Sequence, residues 1–421
     1  MKDKLTFIDL FAGAGGLSEG FIRAGYKPIA HVEMDEAACY TLKTRTAYHY
    51  LISINKKSEY VKYLKGEINR ERLYSLVPQQ EMDSVINLAL GTENNREIFK
   101  RIDERLREKE VDLIVGGPPC QAYSLVGRAR SLDGMKNDPR NLLYLQYAKY
   151  LKRYSPRLFV FENVLGLRSA GGGKYFAKMK AKFKKIGYEV KDFILNASDF
   201  GVLQNRKRVV LIGYKSELNL SLPEFTFKKK NEYKVQSVLH DLPKLQAGEG
   251  FDKNGSYVME AASAYLRKTH IRNGIDVLTQ HVSRPHTEQD KEIYRIAINQ
   301  LKEGDRLDYT TLPKRLKTHN NESSFLDRFK VVDKTASFSQ TVVAHIAKDG
   351  HYYIHPDIEQ NRSISVREAA RLQSFPDDFY FEGVKEDKNR TAAFKQIGNA
   401  VPPLMAYTIA QKMKEISCPK R

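Results

Sequence analysis

Cysteine is scarce in this sequence: Cys39, Cys120 and Cys418 are the only three in 421 residues. They are too few and too scattered for a disulfide framework or a zinc site, so free thiols, no metal and an intracellular location are expected. No apolar run approaches the ~20 residues that a bilayer span requires, and no basic-then-apolar leader opens the chain. A membrane partner is therefore not expected. Acidic residues are also in short supply. There are 51 Asp plus Glu against 70 Lys plus Arg, a formal net charge of +19. A cation excess of this size favours phosphate-backbone partners, because Lys and Arg release counterions condensed on nucleic acid. The plainer reading of the same balance is a soluble protein with solvated charge. There is no internal repeat and no low-complexity tract. Hydrophobic residues make up 41% of the chain, enough for one large core or two modest ones.

The N-terminal half alternates short β-rich runs with helical stretches. Leu5 to Leu10, the end of a run at His31-Val32-Glu33, Val111 to Val115, Leu158 to Phe161 and Arg208 to Ile212 read as strands. Asn141 to Tyr154 is amphipathic and stops at Pro156. This alternation implies an α/β fold with a parallel sheet and helices on both faces. The segment from about Lys43 to Glu110 is charged and helical in pattern and carries no legible chemistry. From Tyr214 to about Tyr352 the chain turns polar and irregular, as an inserted domain would. Regular structure then returns, with Ser365 and Glu368 spaced as a capping box that opens a helix.

Four clusters carry chemistry. Phe11-Ala12-Gly13-Ala14-Gly15-Gly16 joins the first strand to a helix, where backbone N–H groups can approach a ligand closely. Such a loop suits any nucleotide-like cofactor and is equally often just a tight turn. Glu33, at the end of the next strand, is placed to accept from ribose hydroxyls. Gly116-Gly117-Pro118-Pro119-Cys120-Gln121 puts a cysteine at the carboxyl end of a strand, where α/β active sites form; the alternative is a buried, inert thiol. The polar run beyond it, through Ser124, Gly127 and Gly134, has the composition of a surface loop. Glu162-Asn163-Val164 leaves an apolar strand, so its carboxyl would be partly desolvated, as suits a proton donor; a strand-end ion pair is the simpler reading. Gln204-Asn205-Arg206-Lys207-Arg208 enters a later strand, in which Gln204, Arg206 and Arg208 would share a face, or would merely guard an edge.

In this order the clusters resemble the DNA cytosine-C5 methyltransferase family, in particular the bacterial restriction-modification (type II) enzymes. The likeness covers Phe7 to Phe21, Asp112 to Ser124, Phe159 to Leu167, Gln204 to Gly213, Arg367 to Phe379 and Gln396 to Pro402. It implies a Rossmann-like S-adenosylmethionine-dependent domain over 1–213, a smaller irregular target-recognition domain over 214–352, and a segment, 353–421, that returns to complete the first. It also implies the roles that follow. Phe11, Ala12, Gly13, Gly15, Gly16, Leu17, Glu33, Met34, Pro118, Asn399 and Val401 hold the cofactor, with Met34 stacking. Cys120 is the nucleophile, Glu162 contacts cytosine N3 and the exocyclic amine, Arg208 contacts O2, and Arg206 supports the catalytic set. Gln121, Ser124, Arg128 and Arg130 meet DNA from a closing loop. Thr341-Val342 matches a Thr-Leu pair of the family's recognition domain, so base and phosphate contacts are expected across Arg328 to Lys348, with Arg328, Lys330 and Thr341 among them. One departure stands out. The interval before the Pro-Cys loop is longer than in the family, and its adenine-contacting motif has no secure counterpart; candidates lie near Asn87 to Gly91.

The chemistry explains the residue types. A thiolate adding to C6 of cytosine makes C5 nucleophilic, and charge on the ring must be neutralised at N3 and O2. The base must leave the duplex to be reached. A monomeric bacterial cytoplasmic enzyme acting on double-stranded DNA is the expectation. A tRNA cytosine methyltransferase of the same fold would carry a Cys-Phe-Thr tripeptide, which is absent, and a non-catalytic DNA-binding regulator would be expected to have lost Cys120, Glu162 or an arginine.

Overall fold

The computed structural model describes residues 4–107, 109–119, 142–222, 224–225, 232–259, 261–317, 326–387 and 389–417. Seven strands form one sheet: β1 (Thr6–Leu10), β2 (Lys27–Glu33), β3 (Val85–Asn87), β4 (Leu113–Gly116), β5 (Leu158–Asn163), β6 (Tyr188–Asn196) and β7 (Lys207–Lys215). Their order is β3-β2-β1-β4-β5-β7-β6. The main helices are α1 (Gly16–Arg23), α2 (Glu36–Ser53), α3 (Asn95–Leu106), α4 (Leu143–Tyr154), α5 (Lys174–Lys185), α6 (Glu288–Lys302), α7 (Val366–Leu372), α8 (Arg390–Asn399) and α9 (Pro403–Ser417).

β1 to β5 are parallel, but β7 runs antiparallel to both β5 and β6. The sheet is therefore mixed rather than wholly parallel. The link from Asn196 to Lys207 is too short for the crossover of about a dozen residues or more that a parallel pair needs. Gln204 and Arg206 precede β7, so of the three residues expected on one strand face only Arg208 lies in the strand.

Successive strand residues alternate between two cores. Ile8, Leu10, Ile114, Phe159 and Phe161 pack under α3, α4 and α5. Phe7, Leu113, Val115, Leu158 and Val160 face α1 and α9. Burying each such side chain contributes about 1.5–3 kcal/mol, so the near-continuous apolar runs of β4 and β5 suit central strands. The end of the chain is held against its beginning by close backbone approach: a Cβ on Gly16 would stand 2.3 Å from the Val401 carbonyl oxygen.

The 43–110 segment holds the rest of α2, short helices at Lys57–Leu64, Arg70–Ser75 and Gln79–Met82, the strand β3 and α3. Leu51, Tyr60, Tyr63 and Leu73 form a core with Ile275, Val277 and Tyr380. The irregular region has two parts. One part shares a core with the C-terminal segment, Val235 and Leu266 packing with Ile364, Phe375 and Ile397. Around α6, Tyr294, Ile298, Tyr309, Phe329 and Ile354 make a smaller core. α7 opens with the expected capping box: Ser365 Oγ accepts from the Glu368 N–H and Glu368 Oε2 from the Ser365 N–H.

Candidate active site

The chain leaves β1 through Phe11, whose φ of 59° is left-handed backbone that a non-glycine residue adopts at a cost of about 1–3 kcal/mol. That turn delivers the Gly13 N–H to Glu33 Oε2 at 2.8 Å. Glu33 Oε1 accepts from the N–H groups of Met34 and Asp35, each at 2.8 Å. Burial pushes the Glu33 carboxyl above its ordinary range while these three donors work against the rise. The carboxylate is thus fixed in direction at the tip of β2. Beside it Met34 is 66% exposed, an apolar plate at the rim.

Strand order reverses between β1 and β4, and α/β ligand sites form at such a switch point. A cavity of about 430 Å³ opens there. All the expected cofactor residues except Gly15 line it; Gly15 instead borders a second cavity, of about 460 Å³, behind α1. Ala89 and Leu90, within the stretch proposed for the adenine contact, are also in the wall, and Asn87 donates to the carbonyls of Glu33 and Met34. The added length before the Pro-Cys loop therefore does not displace this stretch from the cavity.

Gly116 ends β4 with φ +140°, and a Cβ there would stand 1.9 Å from the Leu10 carbonyl oxygen; only glycine lets Gly117-Pro118-Pro119 enter the cavity wall. Asn163, fully enclosed, donates from Nδ2 to the Pro118 carbonyl at 3.0 Å and anchors that loop to β5. The sequence reading gave Asn163 no separate task. Its neighbour Glu162 pairs with Arg208: Oε1 lies 2.7 Å from Nε, with both side chains mostly enclosed and both lining the cavity. The strand-end ion pair and the site residue are thus the same group. Cys120, which follows Pro119 directly, and Gln121, Ser124, Arg128 and Arg130 lie outside the described residues.

Arg206 does not reach the cavity. It is fully buried, and its guanidinium donates to the carbonyls of Val342 at 2.6 Å and Gly398 at 3.0 Å. It is a positioning residue, tying the irregular region and α8 to the stretch before β7. Asn399 and Val401, just beyond, close the cavity. Lys395 on the same helix reaches Asp35 at 2.7 Å, and Gln396 accepts from Thr41 at 2.6 Å.

Arg328, Lys330 and Thr341 are not brought into the cavity. Arg328 is held by Asp349 and His345, Lys330 by Asp327 at 2.9 Å, and the Thr341 hydroxyl donates to the Asn205 carbonyl. A separate cavity of about 270 Å³ lies between Asn205 and residues 327–340. One wall residue escaped the sequence reading although a signal was present: Asp9, a carboxylate inside the apolar run of β1.

The profile of the C-5 cytosine-specific DNA methylase family matches residues 5–69 and 85–415. The chain belongs to that family of DNA methyltransferases. The unmatched 70–84 stretch is the pair of short helices after Lys57–Leu64, which locates the extra length. The type II methyltransferase M.Bpa9945I of Bacillus paralicheniformis is 42% identical, covering 98% of this chain and 99% of its own. The type II methyltransferase M1.HphI of Haemophilus parahaemolyticus is 32% identical over 98% and 87%. In fold, the chain is similar to a prophage-encoded E. coli protein assigned as a DNA modification methyltransferase, with TM-score 0.65 and 22% identity over 98% and 99%. Among the described residues no helix is long and apolar enough to cross a membrane.

Proposed function

We propose that this enzyme transfers a methyl group from S-adenosylmethionine to C5 of a cytosine flipped out of a specific duplex DNA sequence, as the modification half of a restriction-modification system in a bacterial cytoplasm, acting as a monomer. The observation that carries the reading is one cavity bounded at one end by the glycine loop and Glu33 and at the other by the Glu162–Arg208 pair. Its volume is in the range of small-ligand pockets, and its wall offers a carboxylate for ribose hydroxyls and an apolar rim for a base. Phe11, Gly13, Glu33, Met34, Asn399 and Val401 would hold the cofactor, which when bound supplies an electrophilic methyl group.

The chain's own residues do the rest. Cys120 adds as thiolate to C6 of the target base. Glu162, held in direction by Arg208, protonates or hydrogen-bonds N3, and Arg208 faces O2, so that charge developing on the ring meets fixed partners. Asn163 keeps the Pro-Cys loop seated against β5. The C5 proton then leaves to solvent and Cys120 is expelled. Duplex DNA carrying 5-fluorocytosine at the target should trap the wild-type enzyme covalently at Cys120, and Cys120→Ser should bind cofactor and DNA without turnover. An adduct at Cys39 or Cys418, or methylation of tRNA in preference to duplex DNA, would overturn the reading.

A further inference from the structure

Asp9 sits in the middle of β1, 1% exposed, on the face it shares with Phe7. Buried carboxylates are rare unless paired. Here one oxygen, Oδ2, is bonded to the Ser18 hydroxyl of α1, whose oxygen lies 3.0 Å from Nδ1 of His31 on β2. The other, Oδ1, is buried with no hydrogen-bond partner among the described residues, and the residue lines the cofactor cavity. Ser18 and His31 line the second cavity, behind α1. The chain Asp9–Ser18–His31 therefore crosses the protein wall between the two cavities.

Resting on the cofactor assigned above, we infer that Asp9 is the counter-anion for a cationic group at the methionyl end of S-adenosylmethionine, and that the proton it gives up on ionising leaves through Ser18 and His31 into the cavity behind α1. The titratable groups around Asp9 favour this. β2 presents His31 and Glu33, α4 presents Tyr147, and Asp35, Glu162 and Arg208 stand around the same cavity; the β4 partner is Val115. Burial lowers His31 to about 3, so it is neutral and can pass a proton on. Burial pushes Asp9 up to about 7, against the Ser18 hydrogen bond and with Glu33 adding to the rise. Without ligand the carboxyl is thus largely protonated below neutrality. A cation beside Oδ1 reverses that preference: the O–H bond of Asp9 breaks, Ser18 takes that proton while passing its own to His31 Nδ1, and His31 releases its Nε2 proton to water.

The sign follows from linkage. A group that must ionise to bind makes binding tighten as pH rises towards its free-enzyme value. Between pH 6 and pH 7, below the range in which an α-amino group itself titrates, the dissociation constant of S-adenosylmethionine should fall about fivefold for a group titrating near 7. Calorimetry at pH 6.5 in two buffers of different ionisation enthalpy should register a released proton. Asp9→Asn should bind more weakly and lose both the slope and the proton; Glu33→Gln should bind more weakly yet keep the proton. Ser18→Ala removes the hydroxyl that favours the carboxylate, so its binding profile should move to higher pH. S-adenosylhomocysteine, which lacks the sulfonium, separates the partners: release with both ligands assigns the ammonium, and release with S-adenosylmethionine alone assigns the sulfonium. If Asp9→Asn keeps the wild-type slope and proton count, or Ser18→Ala leaves the midpoint in place, the inference is overturned. Wild-type enzyme that binds neither ligand at any pH overturns the cofactor reading itself.

Discussion

Where the irregular region meets the C-terminal segment, Arg371 lies between Asp241 and Asp377, with contacts of 2.5 and 2.6 Å and at most 2% exposure on any of the three side chains. Nearby Arg362 forks onto Glu368 with two contacts of 2.8 Å. At the carboxyl end of the sheet, Asp9 is buried and Glu33 half-buried, but among the described residues no guanidinium meets either. The electrostatic outcome is opposite. Burial works to raise Glu368 and Asp377, yet Arg362 holds Glu368 well below the usual carboxylate range and Arg371 lowers Asp377. Burial raises Asp9 and Glu33, and the hydrogen bonds they receive do not offset it. Carboxylates spent on an internal arginine fasten the structure. Those left facing a cavity without one are available to a ligand.

Removing a fastening should have the largest effect. Arg371→Ala leaves Asp241 with Arg272 and Asp377 with Arg367 and the Tyr257 hydroxyl, but removes the closest cation from both buried carboxylates; breaking a buried pair in this way costs about 3–5 kcal/mol. Denaturant unfolding should show the loss, and a drop below about 1 kcal/mol would mean that the junction is not held by charge. Glu162→Gln tests the other side. It keeps the shape of the β5 tip but removes a proton source and a charge, so turnover should fall on the order of 10²- to 10³-fold while the melting temperature stays near that of the wild type. Unfolding instead of inactivation would move Glu162 into the fastening class. Glu33→Ala comes next. It removes a charged acceptor worth about 1.5–3 kcal/mol, so the dissociation constant for S-adenosylmethionine should rise by one to two orders of magnitude with little change in turnover at saturation. An unchanged dissociation constant would count against the pocket as drawn.

The same contrast explains what could be read from the sequence. Cavity groups follow strands directly: Gly13 after β1, Glu33 at the end of β2, Gly116 at the end of β4 and Glu162 on β5 are each placed by local pattern. The fastenings join residues far apart in the chain, Arg371 to Asp241 or Arg206 to Val342 and Gly398, and no local spacing announces them. Arg206 shows the same division: its motif sits beside Arg208, but its partners lie on other segments. β3 escaped because three residues within charged helices carry no period, and β6 because Lys191, Asp192 and Asn196 break its apolar run at a sheet edge. The antiparallel β7 could have been anticipated from the short link before it.

The smallest expected effects lie in the region proposed to recognise DNA, where the contrast can be sharpened to single side chains. Arg328 and Lys330 are both held by carboxylates, Arg328 by Asp349 in a partly buried pair and Lys330 by the exposed Asp327, so neither is buried like Arg371 nor lacks a partner as Asp9 Oδ1 does. Solvent-screened pairs contribute about 0–1 kcal/mol to stability, so alanine at Lys330 should leave folding almost unchanged, and alanine at Arg328 should cost far less than at Arg371. Arg328, fixed in direction by Asp349 and His345, is expected to read a base. Arg328→Ala should relax discrimination at one position of the site by about 1–3 kcal/mol. Lys330 is expected to meet phosphate. Lys330→Ala should weaken every sequence alike and lower the slope of log affinity against log salt by roughly one. Methylation of random-sequence duplexes, mapped by bisulfite sequencing, and binding at several salt concentrations separate the two. If neither substitution, nor others across Arg328 to Lys348, shifts the preferred sequence while one in the stretch after Cys120 does, base reading belongs beside the nucleophile and not in the region around α6.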